Sequence, residues 1–162
     1  MRLTCVVIAA LIAAAPLPAQ SWKNLDFLIG KWTGVAGEKD TPLGAGQGDF
    51  SFEAQLNQKI IVRRNVAEYK SGARHDDLMV IYLDAPNDKP RAIYFDSEGH
   101  VIHYTITTPA PGSAVFESDG GQPGPRYRLS YTMEQGTLAG KFEVAPPGSD
   151  YRPYMAWKSR RQ

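Results

Sequence analysis

Cysteine is almost missing from this chain. Its 162 residues include one, Cys5, and only three histidines, His75, His100 and His103. A single thiol near the N-terminus leaves nothing to cross-link and no cluster of thiolates for a metal. No Gly-x-Ser-x-Gly occurs, so the usual sequence mark of a serine hydrolase is missing too. There is no Asn-x-Ser/Thr, no internal repeat and no linker-like stretch that would divide the chain. Net charge is also scarce, at +1 for the whole sequence. No apolar run approaches the roughly 20 residues that a membrane-spanning helix requires.

The longest apolar run is Val6 to Ala15, and Arg2 is the only charge before Gln20. Pro16-Leu17-Pro18-Ala19 follows, with a small residue placed for cleavage before Gln20. This is the layout of a cleaved export signal over residues 1–19, with a single domain over 20–162. Cys5 precedes the apolar run, whereas a lipidated cysteine follows it, so no membrane anchor is expected after cleavage. Losing Arg2 reduces the 18 basic residues to 17, against 17 acidic ones. A neutral chain argues against nucleic acid or an anionic membrane as partner. The expected location is periplasmic or secreted. About 140 residues can bury about 70% of their unfolded surface, enough for one domain held by its core alone.

What the sequence does have is alternation. Trp22 to Ile29 reads as one short helix, with Asn24 as cap, Asp26 in the first turn and Gly30 as stop. After it the period becomes two. Strands are expected over 31–37, 49–56, 59–69, 77–83, 91–96, 100–107, 113–118, 126–133, 137–145 and 153–159. Turn chemistry separates them at Leu56-Asn57-Gln58, Asp84-Ala85-Pro86-Asn87, Ser97-Glu98-Gly99, Pro109-Ala110-Pro111-Gly112 and Glu134-Gln135-Gly136. Short consecutive links imply an antiparallel meander, and closing the meander removes its edges. The expected fold is an all-β, up-and-down barrel of about ten strands with a short N-terminal helix at one end. Two Gly- and Pro-rich stretches, 38–48 and 119–125, read as loops near a cavity mouth.

Gly30-Lys31-Trp32, placed after a short helix and opening the meander, resembles the entry motif of the calycin superfamily. That group contains lipocalins, fatty-acid-binding proteins and nitrobindin-like barrels, and the strand count is nearer the last two. The segments Leu25 to Trp32 and Tyr94-Phe95-Asp96-Ser97-Glu98-Gly99-His100-Val101 are also similar to a bacterial domain-of-unknown-function family of such barrels. The resemblance implies that Trp32 packs near the closed end under a basic side chain of the last strand. Arg160 is the preferred partner among Lys158, Arg160 and Arg161, in a structural role. Nitrobindin-like proteins hold haem through a histidine near the C-terminus. No histidine follows His103, so haem is disfavoured and no cofactor is expected.

Local motifs give no catalytic or metal residue. Gly44-x-Gly46-x-Gly48 lacks the strand–helix context of a phosphate loop. His100 and His103 are three apart, on opposite sides of a strand. His75-Asp76-Asp77 reads as a solvated turn. The lumen is left as the functional region. Tight two-residue turns at Ser97-Glu98-Gly99 would put Ile93 and Phe95 on the inner side with Ile102 and Tyr104, and Tyr94 with His103 outside. On the third strand either Ile60, Val62, Arg64 and Val66 face in, or Ile61, Arg63 and Asn65 do. An inward Arg64 would need an anionic partner or ligand. The expected ligand-binding residues are Arg64, Phe95, Tyr104 and Tyr131, lining a site for a small apolar or amphipathic molecule. The alternatives are an enzyme using His100 or His103 beside Tyr94 or Tyr104, and a filled barrel that acts through its surface.

Overall fold

A computed structural model describes residues 22, 24–35, 46–69, 71–85, 88–120 and 124–162. The export signal expected over 1–19 lies outside the described residues, as does most of the loop expected over 38–48. The described residues form ten strands: β1 Gly30–Gly34, β2 Gly46–Gln55, β3 Ile60–Tyr69, β4 Arg74–Asp84, β5 Lys89–Asp96, β6 Val101–Thr107, β7 Ser113–Ser118, β8 Arg126–Glu134, β9 Thr137–Ala145 and β10 Arg152–Arg161. Each pairs antiparallel with its sequence neighbours, and β1 pairs with β10 to close the ring. A closed ring satisfies the backbone groups that an open sheet would leave along its edges. Gly46 and Gly48 lie within β2, so these two glycines are strand and not part of a phosphate loop, and Gly44 lies outside the described residues.

The expected N-terminal helix is corrected by the structure. Among the described residues only Asp26–Leu28 is helical, as one turn of 3-10 geometry, and no side chain caps it. The eight residues from Trp22 to Ile29 are too few to offset helix nucleation. Trp22, Leu25 and Leu28 hold the segment instead by burying in the end of the barrel. Trp22 Nε1 donates to the carbonyl of Gln58 at 2.9 Å, across the β2–β3 turn. Trp32 Nε1 donates to the Leu28 carbonyl at 2.8 Å.

The cation over Trp32 is Arg161, not Arg160. Its guanidinium carbon lies 4.6 Å from the ring centre. The same group donates to the carbonyls of Ile29 at 2.5 Å and Phe27 at 3.2 Å. The register pairs Trp32 with Arg161 and Thr33 with Arg160, so Arg160 faces solvent. Gly30 leaves space for this arrangement, since a Cβ there would meet Arg161 Nη1 at 2.6 Å.

The half of the barrel next to this plug is solid. Trp32, Phe52, Ile61, Met79, Ile81, Phe116, Tyr131 and Leu138 are fully buried there. Tyr131 sits at the centre, edge-on to Phe52 at 5.5 Å, Phe116 at 6.1 Å and Trp157 at 6.0 Å. The other half is hollow.

Candidate functional site

The hollow half is a cavity of about 580 Å³. Its two sides differ in chemistry. One arc of the ring, on β8, β9 and β10, contributes Leu129, Phe142, Val144, Met155 and Trp157. The facing arc, on β3, β4 and β5, contributes Arg63, Asn65, His75, Asp77, Tyr94 and Asp96. Tyr104 and Ile102 line the wall beside the polar arc.

The polar arc is one connected network. Arg63 on β3 and Asp77 on β4 form an ion pair, with side chains only 6% and 4% exposed. Asn65 Nδ2 donates to Asp77 Oδ2 at 2.8 Å. His75 Nε2 lies 3.3 Å from the same oxygen and 3.1 Å from the Tyr94 hydroxyl. On its other side, His75 Nδ1 is 2.9 Å from Glu98 Oε2. His100 Nδ1 lies 2.8 Å from Asp96 Oδ2 at the rim. A buried ion pair is stable only when its remaining polar positions are met, and this network meets most of them. Arg63 Nε and the Tyr131 hydroxyl are the exceptions, buried without a hydrogen-bond partner.

Electrostatics follow from this packing. Hydrogen bonding to Asp77 pushes the His75 imidazolium up to about 9, against the opposing effect of burial and with help from Glu98. Burial pulls the Arg63 guanidinium down, but Asp77 together with Tyr131 and Tyr94 more than offsets it and the net shift is upward. Burial raises the Tyr94, Tyr104 and Tyr131 phenols. Burial also opposes ionisation of Asp96, yet the His100 backbone and ring hold its carboxyl below the usual range.

The residues expected from sequence divide unevenly. Tyr104 lines the cavity and Tyr131 is buried in the floor region beneath it. Arg64 is corrected: it is exposed on the outer surface, and Arg63 is the inward arginine. Phe95 is also corrected, being 42% exposed on the outside. Arg64 and Phe95 in fact share a shallow outer groove with Leu78.

Turn parity places Phe95 outside. Tyr94 pairs with Ile102, and Ile93 with His103. The hairpin closes with Asp96 N donating to the His100 carbonyl at 3.3 Å, leaving the three residues Ser97-Glu98-Gly99 between. Gly99 takes φ +90°, the left-handed residue that ends a three-residue hairpin loop. Because side chains alternate, that odd residue turns β5 over relative to β6. His103 therefore faces solvent, and Tyr94 faces the lumen.

His75, Asp77, Arg63 and Asn65 were not singled out by sequence as the site. The signal was present in the alternation. Ile61, Arg63 and Asn65 share a face of β3, and His75 and Asp77 share one with Met79 and Ile81 of β4. Each face runs from the apolar floor to the polar mouth.

With this geometry in view, the chain can be compared with known proteins. No protein-family model matches it, and neither does any curated protein. Among solved structures it is similar to the crystal structure of Rv2717c from M. tuberculosis, with a TM-score of 0.60. The two share 12% identity, over 90% of this chain and 98% of that one. The likeness is one of fold. At such identity no side chain of the site can be carried across, and the chemistry rests on this chain's own residues.

Proposed function

We propose that this chain is a calycin-like barrel that binds one small amphipathic molecule in its lumen, and that it does so after export to the periplasm or beyond. The observation that carries the reading is the split lining of the cavity. Pockets of about 300–1,000 Å³ with mostly apolar walls and a few fixed polar groups are the usual form of a small-molecule site. Here the charged groups gather on one side, and Leu129, Phe142 and Trp157 stand on the other with the hydroxyls of Tyr127 and Ser159. A molecule with an oxygen-bearing head and an apolar body would match both. Arg63 Nε is a buried donor without an acceptor beneath this space.

Thermal melts with a matched series test this reading. A medium-chain fatty acid and alcohol should raise the melting temperature more than the alkane of equal length. Native mass spectrometry of protein taken from its own host should show a bound small molecule. A barrel that is reproducibly empty, with no lipophile shifting its melting temperature, would overturn the proposal.

A second reading is an enzyme on the same scaffold. One contact favours it, the 3.1 Å approach of His75 Nε2 to the Tyr94 hydroxyl within the lumen. His75 would take the acid/base role, in place of His100 or His103. Turnover abolished by His75→Gln, with binding retained, would distinguish this reading from simple carriage.

A further inference from the structure

We propose that the mouth of the barrel is a site for one divalent transition-metal cation, held by His75, Asp96 and Glu98. One donor atom from each of the three lies within 4.8 Å of the other two. His75 Nδ1 and Glu98 Oε2 are 2.9 Å apart. Donors at about 2.0–2.2 Å from a tetrahedral zinc sit about 3.3–3.6 Å from each other. The observed spread brackets that range, so small torsional changes at Glu98 and His75 complete the geometry. The cation would replace the proton shared by Nδ1 and Oε2, which leaves to solvent.

Two observations separate this cluster from ordinary surface acids. The first is the support behind the imidazole. His75 Nε2 faces Asp77 Oδ2 at 3.3 Å, and Asp77 is itself fixed by Arg63 and by Asn65 at 2.8 Å. A buried carboxylate on the far nitrogen of a ligating histidine is the usual outer sphere of such a metal. The second is position. All three donors line the cavity, so the remaining coordination positions face the lumen.

The carboxylates are also held in place. Asp96 Oδ1 accepts the backbone N–H of Glu98 at 3.1 Å and of His100 at 2.8 Å. The segment Asp96 to His100 therefore sets two donors on one turn, facing a third from β4. Imidazole with two carboxylates suits zinc or manganese, whereas calcium and magnesium favour oxygen alone. A site with three protein donors and open positions is the arrangement that admits an exogenous ligand.

The proposal does not rest on the lumen holding an amphipathic molecule, and its test is separate. Untagged full-length chain, stripped with a chelator, is titrated with zinc chloride by calorimetry, and with cobalt(II) followed by visible absorption. One ion per chain is expected, with weaker binding of magnesium. Asp77→Asn should lower zinc affinity about 10- to 100-fold by releasing the imidazole. Glu98→Gln, at an exposed turn, should lower it at least about tenfold while the metal-free protein stays folded with only a small drop in melting temperature. His103→Ala, on the outer face, should have no effect. Binding that is not saturable at one ion per chain would overturn the proposal. So would equal affinity in Glu98→Gln, or a loss in His103→Ala matching that in Glu98→Gln.

Discussion

Gly140 on β9 lies directly under the indole of Trp157 on β10. A Cβ at Gly140 would stand 2.2 Å from Trp157 Cε2 and 2.4 Å from Cζ2. The two residues are register partners, and Tyr131 pairs with Gly140 from the other side. Tyr131 and Trp157 therefore meet edge-on across a residue with no side chain. Gly140→Ala must drive the indole into the lumen. The expected loss is about 1–3 kcal/mol, the usual cost of overpacking a core. Urea unfolding measures it, and a change in tryptophan emission reports the displaced ring.

The clasp at the closed end should depend on one arginine of two. Arg161→Gln removes the cation from the Trp32 face and two charged donors from the Ile29 and Phe27 carbonyls. A cation over an aromatic ring contributes about 0.5–2 kcal/mol, so a loss of about 1–2 kcal/mol is expected. Arg160→Gln, at a solvent-facing position, should change stability by less than about 0.5 kcal/mol. Equal losses in the two variants would contradict the assigned register.

The ion pair in the cavity wall should behave as a unit. Asp77→Ala strands Arg63 in a buried position and should cost about 3–5 kcal/mol. Arg63→Met combined with Asp77→Leu should recover most of that loss, because neither charge then needs a partner. A double-mutant cycle by chemical denaturation separates the coupling from the two single effects. Additive losses would show that the pair is not coupled.

Acid should weaken the outer ladder between β8 and β9. Arg128 donates to Glu143 Oε2 at 2.7 Å, and Lys141 lies 2.7 Å from Oε1. The Arg128 hydrogen bond holds the Glu143 carboxyl below its usual 4.5, although burial opposes this. A depressed carboxyl contributes stability that is present above the unfolded-state value. That contribution is lost as pH falls from about 4.5 through the lower folded-state value. Urea midpoints from pH 6 to 3 should fall more steeply for the native chain than for Glu143→Gln.

Much of the architecture was legible because alternation and turn chemistry agree along most of the chain. β7 and β9 begin and end where their sequence patterns do, and the ring follows from short links. The faces were harder. Arg63 and Arg64 are neighbours of the same kind, and only the inward Asp77 on the next strand selects between them. Arg160 and Arg161 pose the same problem, settled by the β1–β10 register. His75-Asp76-Asp77 looked like solvent-facing turn because polar residues usually are. The barrel instead carries His75 and Asp77 along its inner wall, where each meets a partner that lies far away in sequence, and leaves Asp76 outside beside Arg74. The Ser97-Glu98-Gly99 loop was recognised as a turn, but its odd length was not, and that single residue reversed the assignment for β5.

The short seam between β1 and β10 has a kinetic consequence. Its three residue pairs join positions 125 to 129 apart in the chain, and the Arg161 contacts join positions 132 and 134 apart. Such contacts gain nothing until the intervening strands are ordered, because the chain between must first be drawn together. The seam should then be absent from the folding transition state and present only in the finished ring. Substitutions there should quicken unfolding and leave the folding rate almost untouched. Arg161 would in that case set how long the barrel stays shut, with little influence on how fast it forms.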